Sequence, residues 1–411
     1  MSSLQSFGRE LVAVWRRQKQ AWHVVVTWMV VNRFLRRFVE QYATIYVRLL
    51  GASPVQLGAA QSAAGLAGTV ISLPMGIAQD RYSLRRIYLA GITLLTIAPL
   101  LYAIAPSWQW LIPGVVLLGL GHRLGSCSVI CDVSLPNRDR ATGKALCEGV
   151  GSLPTLLGPI AAAAVVMLLG GVSVHSVRTL YWIYFAVGIV PTIYAYRRMP
   201  EIHRERPAAT RLNVLADLRE VFRGGRALKR YAGLVATSEF ALVMLMTFMY
   251  PYAYEIGSAT PFVLGAMSTA VTLAEVVFST VFGRLADRLG RKRAYLMLTP
   301  LFVSGNLLLI FSPTPGLMVV AGLMFGFRMI SSVVYSSIGP ELVPANCIGR
   351  WRGMVGVVQS LAAMAAPIIG GYLWEGLGPQ AIFAVVTVVD LVVAVPLVLS
   401  LPETLHRAER D

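Results

Sequence analysis

The chain has 411 residues, of which 56% are hydrophobic and 14% charged, with a mean hydropathy of +0.65 and a net charge of +16. A soluble globular domain carries roughly 25% charged residues. The composition therefore excludes an ordinary soluble enzyme, a disordered chain and a disulfide scaffold, and leaves an all-α integral membrane protein with many spans. The opening segment MSSLQSFGRELVAVWRRQKQ holds no apolar core followed by a small-residue cleavage site, so no removable signal peptide is expected.

Apolar stretches long enough to cross a bilayer fall at 28–50, 57–78, 86–105, 108–131, 142–169 and 176–196. After a polar stretch at 197–230, a second set follows at 231–253, 260–282, 294–312, 316–338, 352–374 and 379–401. The expected architecture is twelve transmembrane helices in two six-helix bundles, 1–196 and 231–411, joined by a linker at 197–230. Leu212, Leu215, Leu218 and Phe222 are spaced so as to make part of that linker an amphipathic helix lying on the membrane surface.

Basic residues gather on the cytoplasmic side of membrane proteins. With the N-terminus inside, only Arg48 and Arg178 fall in outside loops, and Arg33, Arg36, Arg37, Arg123 and Arg328 fall within spans. All other Lys and Arg residues lie inside, so both termini are expected in the cytoplasm, at a cytoplasmic membrane. This distribution explains the positive charge without a nucleic-acid partner. Cys127, Cys131, Cys147 and Cys347 sit in or beside apolar segments and match no zinc-site spacing, so neither a disulfide framework nor a metal site is expected. No phosphate-binding loop and no nucleophile-base-acid arrangement appears, so neither a cofactor nor an enzymatic activity is expected.

The two halves repeat one another. Pro54 and Leu57-Gly58-Ala59 recur as Pro261 and Leu264-Gly265-Ala266, and Gly76, Asp80 and Arg81 recur as Gly283, Asp287 and Arg288, both at a shift of 207 residues. Gly158-Pro159-Ile160 and Gly121-x-Arg123 are echoed by Ala366-Pro367-Ile368 and Gly326-x-Arg328 at shifts of 208 and 205. A shift of six spans preserves orientation, so the repeat is parallel, about an axis along the membrane normal.

The segment Gly283-Arg-Leu-Ala-Asp287-Arg288-Leu-Gly290-Arg291-Lys292-Arg293, between the eighth and ninth spans, resembles the main motif of the major facilitator superfamily. Its N-terminal counterpart, Gly76 to Arg86, departs by having Ser83 for the second Gly and Leu84 for the next basic residue. The resemblance covers nearly the whole chain and implies a pseudo-symmetric twelve-helix transporter working by alternating access. It also implies that Gly76, Asp80, Arg81, Gly283, Asp287, Arg288, Gly290 and Arg291 form a cytoplasmic gate. Gly158-Pro159 resembles the end of a Gly-rich antiporter motif, although Ala145 and Pro154 replace its earlier glycines.

In the family, spans 1, 4, 7 and 10 line the central cavity. Ionisable residues inside a bilayer cost about 2.5 to 3.5 kcal/mol each on insertion scales and mark function. Arg33, Arg36, Arg37 and Glu40 share one helix face of span 1, and spans 4, 7 and 10 add His122, Arg123, Glu239 and Arg328. Arg36, Arg37, Glu239 and Arg328 are read as cavity residues. Glu40 is read as the proton-coupling carboxylate with Arg123 as its partner, since a moving guanidinium shifts the affinity of a buried carboxylate for a proton. Arg123 lies where the resemblance places an Arg in many proton-coupled members. The excess of Arg over carboxylates favours a small organic anion as substrate. The expected partners are that substrate, protons and the lipid bilayer, and the chain is expected to be a monomer. Proton-driven efflux of lipophilic compounds is the competing transport reading. A non-transporting sensor or scaffold is the reading from another class, disfavoured because both gate motifs keep their Asp-Arg pair.

Overall fold

Within hydrocarbon a chain must satisfy its backbone internally, which leaves helices for segments of this composition. A computed structural model of the chain describes residues 15, 17–63, 65–66, 83–125, 130, 135, 146–147, 149–201, 225–311, 314–342 and 348–402. Among the described residues no strand occurs, and nine helices are long and apolar enough to cross a membrane. The linker helix expected at 212–222, Cys127, Cys131 and Cys347 lie outside the described residues.

The helices are α1 (Gln20–Leu49), α2 (Leu84–Ile104), α3 (Leu111–Leu124), α4 (Gly158–Leu168), α5 (Val174–Arg198), α6 (Arg226–Glu255), α7 (Pro261–Leu289), α8 (Arg291–Phe311), α9 (Pro315–Ser336), α10 (Ile348–Leu377), α11 (Gln380–Val388) and α12 (Val395–Ser400). A short helical stretch also runs through 54–63. Most boundaries fall within a few residues of the expected spans. The first helix starts earlier than 28, because Trp22, Val24, Val25 and Val26 extend its buried face toward the N-terminus. The last expected span is interrupted by a π-helical turn, Val389–Ala394, between α11 and α12.

The chain forms two compact units that do not follow the linker alone. One comprises 1–40 and 70–209, the other 41–69 and 210–411. In the first unit α2 packs on α3 and α5. Its core joins Val24, Val25 and Trp28 of α1 to Tyr88, Ile92 and Leu95 of α2 and Ala195 of α5. Hydroxyls mark this interior: the Trp28 indole donates to Thr192 Oγ1 at 3.1 Å, and Thr192 meets Thr96 at 2.7 Å. In the second unit α9 packs on α7 and α8, and α6 on α10. Its core gathers Tyr231, Leu234 and Val235 of α6, Leu298 and Phe302 of α8, Ile330 and Val334 of α9, and Trp351 of α10.

The segment 41–69 belongs to the second unit for a geometric reason. Gly58 lies so close to α10 that a Cβ there would collide with the Pro367 carbonyl, while one at Gly371 would lie 2.6 Å from the carbonyl oxygen of Pro54. Two glycines thus let backbone rest on backbone. Ser62 Oγ donates to the Met364 carbonyl, and the Val55 amide donates to Glu375 Oε1 at 3.2 Å. The repeat is visible in local structure too. Ser53 exchanges hydrogen bonds with Gln56 before Pro54, just as Thr260 accepts from the Val263 amide before Pro261.

Replacing Gly371 by Leu is expected to lower stability by about 1–3 kcal/mol, the usual cost of overpacking. Gly356→Ala, where a Cβ meets nothing within 4 Å among the described residues, should leave it unchanged or slightly raised. Thermal unfolding of the detergent-solubilised variants reads both.

Candidate functional site

The stripe on α1 gathers a polar cluster in the first unit. Arg37 Nη1 lies 3.2 Å from Glu40 Oε2, one turn along the same helix. Both side chains are partly open, and the adjacent Arg36 is exposed. His122 of α3 and Tyr184 of α5 lie within electrostatic reach of Arg36 and Glu40. The Tyr184 hydroxyl donates to Asn32 Oδ1 at 3.0 Å, one turn before Arg36. Arg33 lies against Gly151, whose Cβ would sit 3.0 Å from its guanidinium. Gly158 of the Gly-Pro pair rests on the α1 backbone at Phe34–Phe38. Arg123 lies on α3, and its side chain is outside the described residues. The cluster thus combines three guanidinium or imidazole groups with one carboxylate, an arrangement that can hold an anionic group and exchange a proton.

In the second unit the structure treats Glu239 and Arg328 differently from one another. Glu239 on α6 is half-buried. Arg328, read from sequence as a cavity residue, is instead sealed inside the bundle. Its Nη1 donates to Asp390 Oδ1 at 2.6 Å, its Nη2 to the Ser238 carbonyl at 2.8 Å, and its guanidinium carbon stands 4.8 Å from the centre of the Phe302 ring. The two side chains keep 4% and 1% of their surface exposed. Desolvation explains the difference: an Arg in an apolar bundle binds the carboxylate it can reach, here on the last span.

The Gly-Asp-Arg motif is described in its C-terminal copy, and Gly76, Asp80 and Arg81 lie outside the described residues. Asp287 near the end of α7 pairs with Arg291 at the start of α8, Nη1 to Oδ1 at 2.9 Å. Between them Gly290 has φ 104° and ψ 148°, a conformation that side chains with a Cβ avoid. Ser83, the N-terminal equivalent, has φ −64° and caps α2 by accepting from the Arg86 amide. Its departure from the motif is therefore accommodated by a different turn. Gly283 supports no close helix contact among the described residues, since a Cβ there meets none of their atoms within 4 Å. Arg288 is exposed at the same end. Lys292 donates to the Leu399 and Leu401 carbonyls and Arg230 to that of Ser400, so these cations cap the C-terminus of α12.

Sequence reasoning missed the polar lock at the opposite end of the second unit. Arg48 forms two bonds to Glu255, Nε to Oε1 at 2.7 Å and Nη2 to Oε2 at 3.0 Å, and its Nη1 donates to the Ala52 carbonyl. Positions 48 and 255 are 207 apart, the repeat shift itself, and this offset with opposite charges was the available signal. A crevice of about 430 Å³ in the first unit, lined by Thr93, Ile97, Phe185, Ile189, Tyr196 and Arg197 among others, holds none of the expected site residues.

A family model of the Major Facilitator Superfamily matches residues 29–259 and 232–411. The chain belongs to that superfamily. Similar superfamily proteins include an uncharacterised MFS-type transporter of Mycobacterium tuberculosis, 32% identical over 34% of this chain and 25% of its own. A class B tetracycline resistance protein of Escherichia coli is 29% identical over 31% of this chain and 32% of its own. A riboflavin transporter of Clostridioides difficile is 27% identical over 28% and 26% respectively. These matches span about a quarter to a third of each relative's length. Among solved structures, the nucleoside transporter NupG superposes with a TM-score of 0.77 at 14% identity, covering 92% of this chain and 98% of its own. A bacterial homologue of the lysosomal transporter Spinster does so with 0.68 at 13%, covering 92% and 95%. These likenesses establish the fold, an all-α membrane architecture.

Gly290→Ala is expected to lower stability by about 1–3 kcal/mol, the strain of a side chain in this backbone region. Asp287→Asn removes only an exposed ion pair and should cost less than about 1 kcal/mol. Chemical or thermal unfolding in detergent separates the two; equal effects would mean that the turn does not depend on Gly290.

Proposed function

We propose that this superfamily member is a secondary active transporter that moves a small organic anion across the cytoplasmic membrane by alternating access, driven by protons. The observation that carries the reading is the cluster of Arg36, Arg37, Glu40, His122 and Tyr184 from three helices of the first unit. A planar guanidinium suits a carboxylate or phosphate, and Arg36 is exposed to receive one. Glu40 is the proton-coupling group, alternating between the Arg37 ion pair and a protonated state, with Arg123 as a second partner. Glu239, half-buried on α6, is the cavity residue of the second unit.

In this reading both termini face the cytoplasm, the side that collects nearly all Lys and Arg outside the spans. Gly76, Asp80, Arg81, Gly283, Asp287, Arg288, Gly290 and Arg291 then form the inner gate, and Arg48, Glu255 and Glu375 secure the outer end. Efflux of lipophilic compounds is the second reading, favoured by the similarity to tetracycline resistance proteins and to efflux pumps named dotC of Dothistroma septosporum.

Thermal unfolding against a panel divided between organic anions and lipophilic cations tests the two readings. A ligand at about 100 times its Kd adds roughly 2.7 kcal/mol of stability. Stabilisation by an anion, abolished in Arg36→Ala, is expected; stabilisation by lipophilic cations alone would favour efflux. With a substrate in hand, Glu40→Gln in liposomes should abolish proton-driven accumulation while leaving exchange, and unchanged accumulation would remove Glu40 from the coupling role.

A further inference from the structure

The buried Arg328–Asp390 pair serves no need of the transport reading above, yet it is expensive. Both groups are withdrawn from water inside a bilayer-spanning bundle, and an apolar pair of similar volume is often as stable or more so. Two features distinguish it from a purely structural pair. An Arg fork commonly engages both carboxylate oxygens, but here only Oδ1 is engaged, and Asp390 Oδ2 is buried without a hydrogen-bond partner among the described residues. Asp390 also stands on the π-helical turn Val389–Ala394, a widening of the helix that is frequent at functional sites.

The surroundings add a second carboxylate. Ser238, whose carbonyl accepts from Arg328, is followed on α6 by Glu239, which lies within electrostatic reach of the same guanidinium. The other titratable groups facing the pair are Tyr295 of α8 and Tyr335 of α9. With the tyrosines neutral, one guanidinium faces two carboxylates, so a single proton brings the cluster to neutrality. Asp390 is sealed and Glu239 half-open, so the two carboxylates differ in access to water.

We propose that Asp390 is a proton-binding residue of the transport cycle, with Arg328 as a guanidinium shared between Asp390 and Glu239. A proton from water bonds to Asp390 Oδ2, the carboxylate becomes a neutral acid, and the Arg328 contact to Oδ1 loses its ionic character. Arg328 then turns toward Glu239, its remaining anionic neighbour. Release of the proton to water restores the ion pair. Since Arg328 lies on α9, Glu239 on α6 and Asp390 on the π turn, the exchange changes which helices are held together. The proposal rests on the proton-driven reading and locates a proton in the second unit, separate from Glu40.

Infrared difference spectra of the detergent-purified full chain, recorded between alkaline and acidic buffer, test it without a substrate. A protonated carboxyl in an apolar site gives a resolved carbonyl stretch. The expected wild-type spectrum gains such a band on acidification; Asp390→Asn loses it, Asp390→Glu shifts it, and Glu40→Gln leaves it in place. A band unchanged in Asp390→Asn, or unmoved in Asp390→Glu, overturns the proposal. Should Asp390→Asn fail to fold because Arg328 is stranded, Asp390→Glu decides alone. A band that disappears only in Glu40→Gln defeats the proposal and leaves proton coupling standing, whereas a wild-type chain with no titrating carboxyl defeats both.

Discussion

The cost of a charge without water organises this molecule. In the bilayer an ionised side chain must find a counter-charge, a backbone dipole or an aqueous opening, and several charged residues of the described helices illustrate these solutions. Arg328 is buried and therefore tied to Asp390, to a carbonyl and to an aromatic face. Arg37 is partly open and holds a looser contact with Glu40. Lys292 and Arg230 sit at a helix end and take free carbonyls. The positions of the helices follow from apolar length, but the places where helices are joined follow from these pairings and from glycines that admit backbone contact.

This division explains what was legible beforehand. Span positions, the repeat and the α1 stripe could be read from the chain, because hydropathy and helical spacing report directly on a long helix in lipid. The fate of Arg328 could not. Its sequence neighbourhood resembles that of Arg123, its counterpart in the repeat, and only the proximity of Asp390, 62 residues onward, decides that it is sealed in the bundle. Lipid-facing and buried apolar surfaces are chemically alike, so hydropathy does not say which face of α9 turns inward; small and polar residues do.

Turns show a related limit of motif reading. Ser83 stands where the motif has the equivalent of Gly290, but the two positions have different backbone conformations and each residue suits its own. Gly283 shows the reverse: it matches the motif and yet no close contact depends on it among the described residues. A motif records which residues recur, whereas the contact each one makes is settled by the neighbouring helices.

The bond between Arg48 and Glu255 carries a historical consequence. The two residues occupy the same position in the two repeats. In a symmetric dimer of a single half-length chain, the side chain at that position would face its own copy, and identical side chains cannot form an ion pair with each other. Such a bond becomes available only after the two copies diverge. The lock is therefore a feature of unlike halves, and it ties them in a way that no homodimeric ancestor had at its disposal.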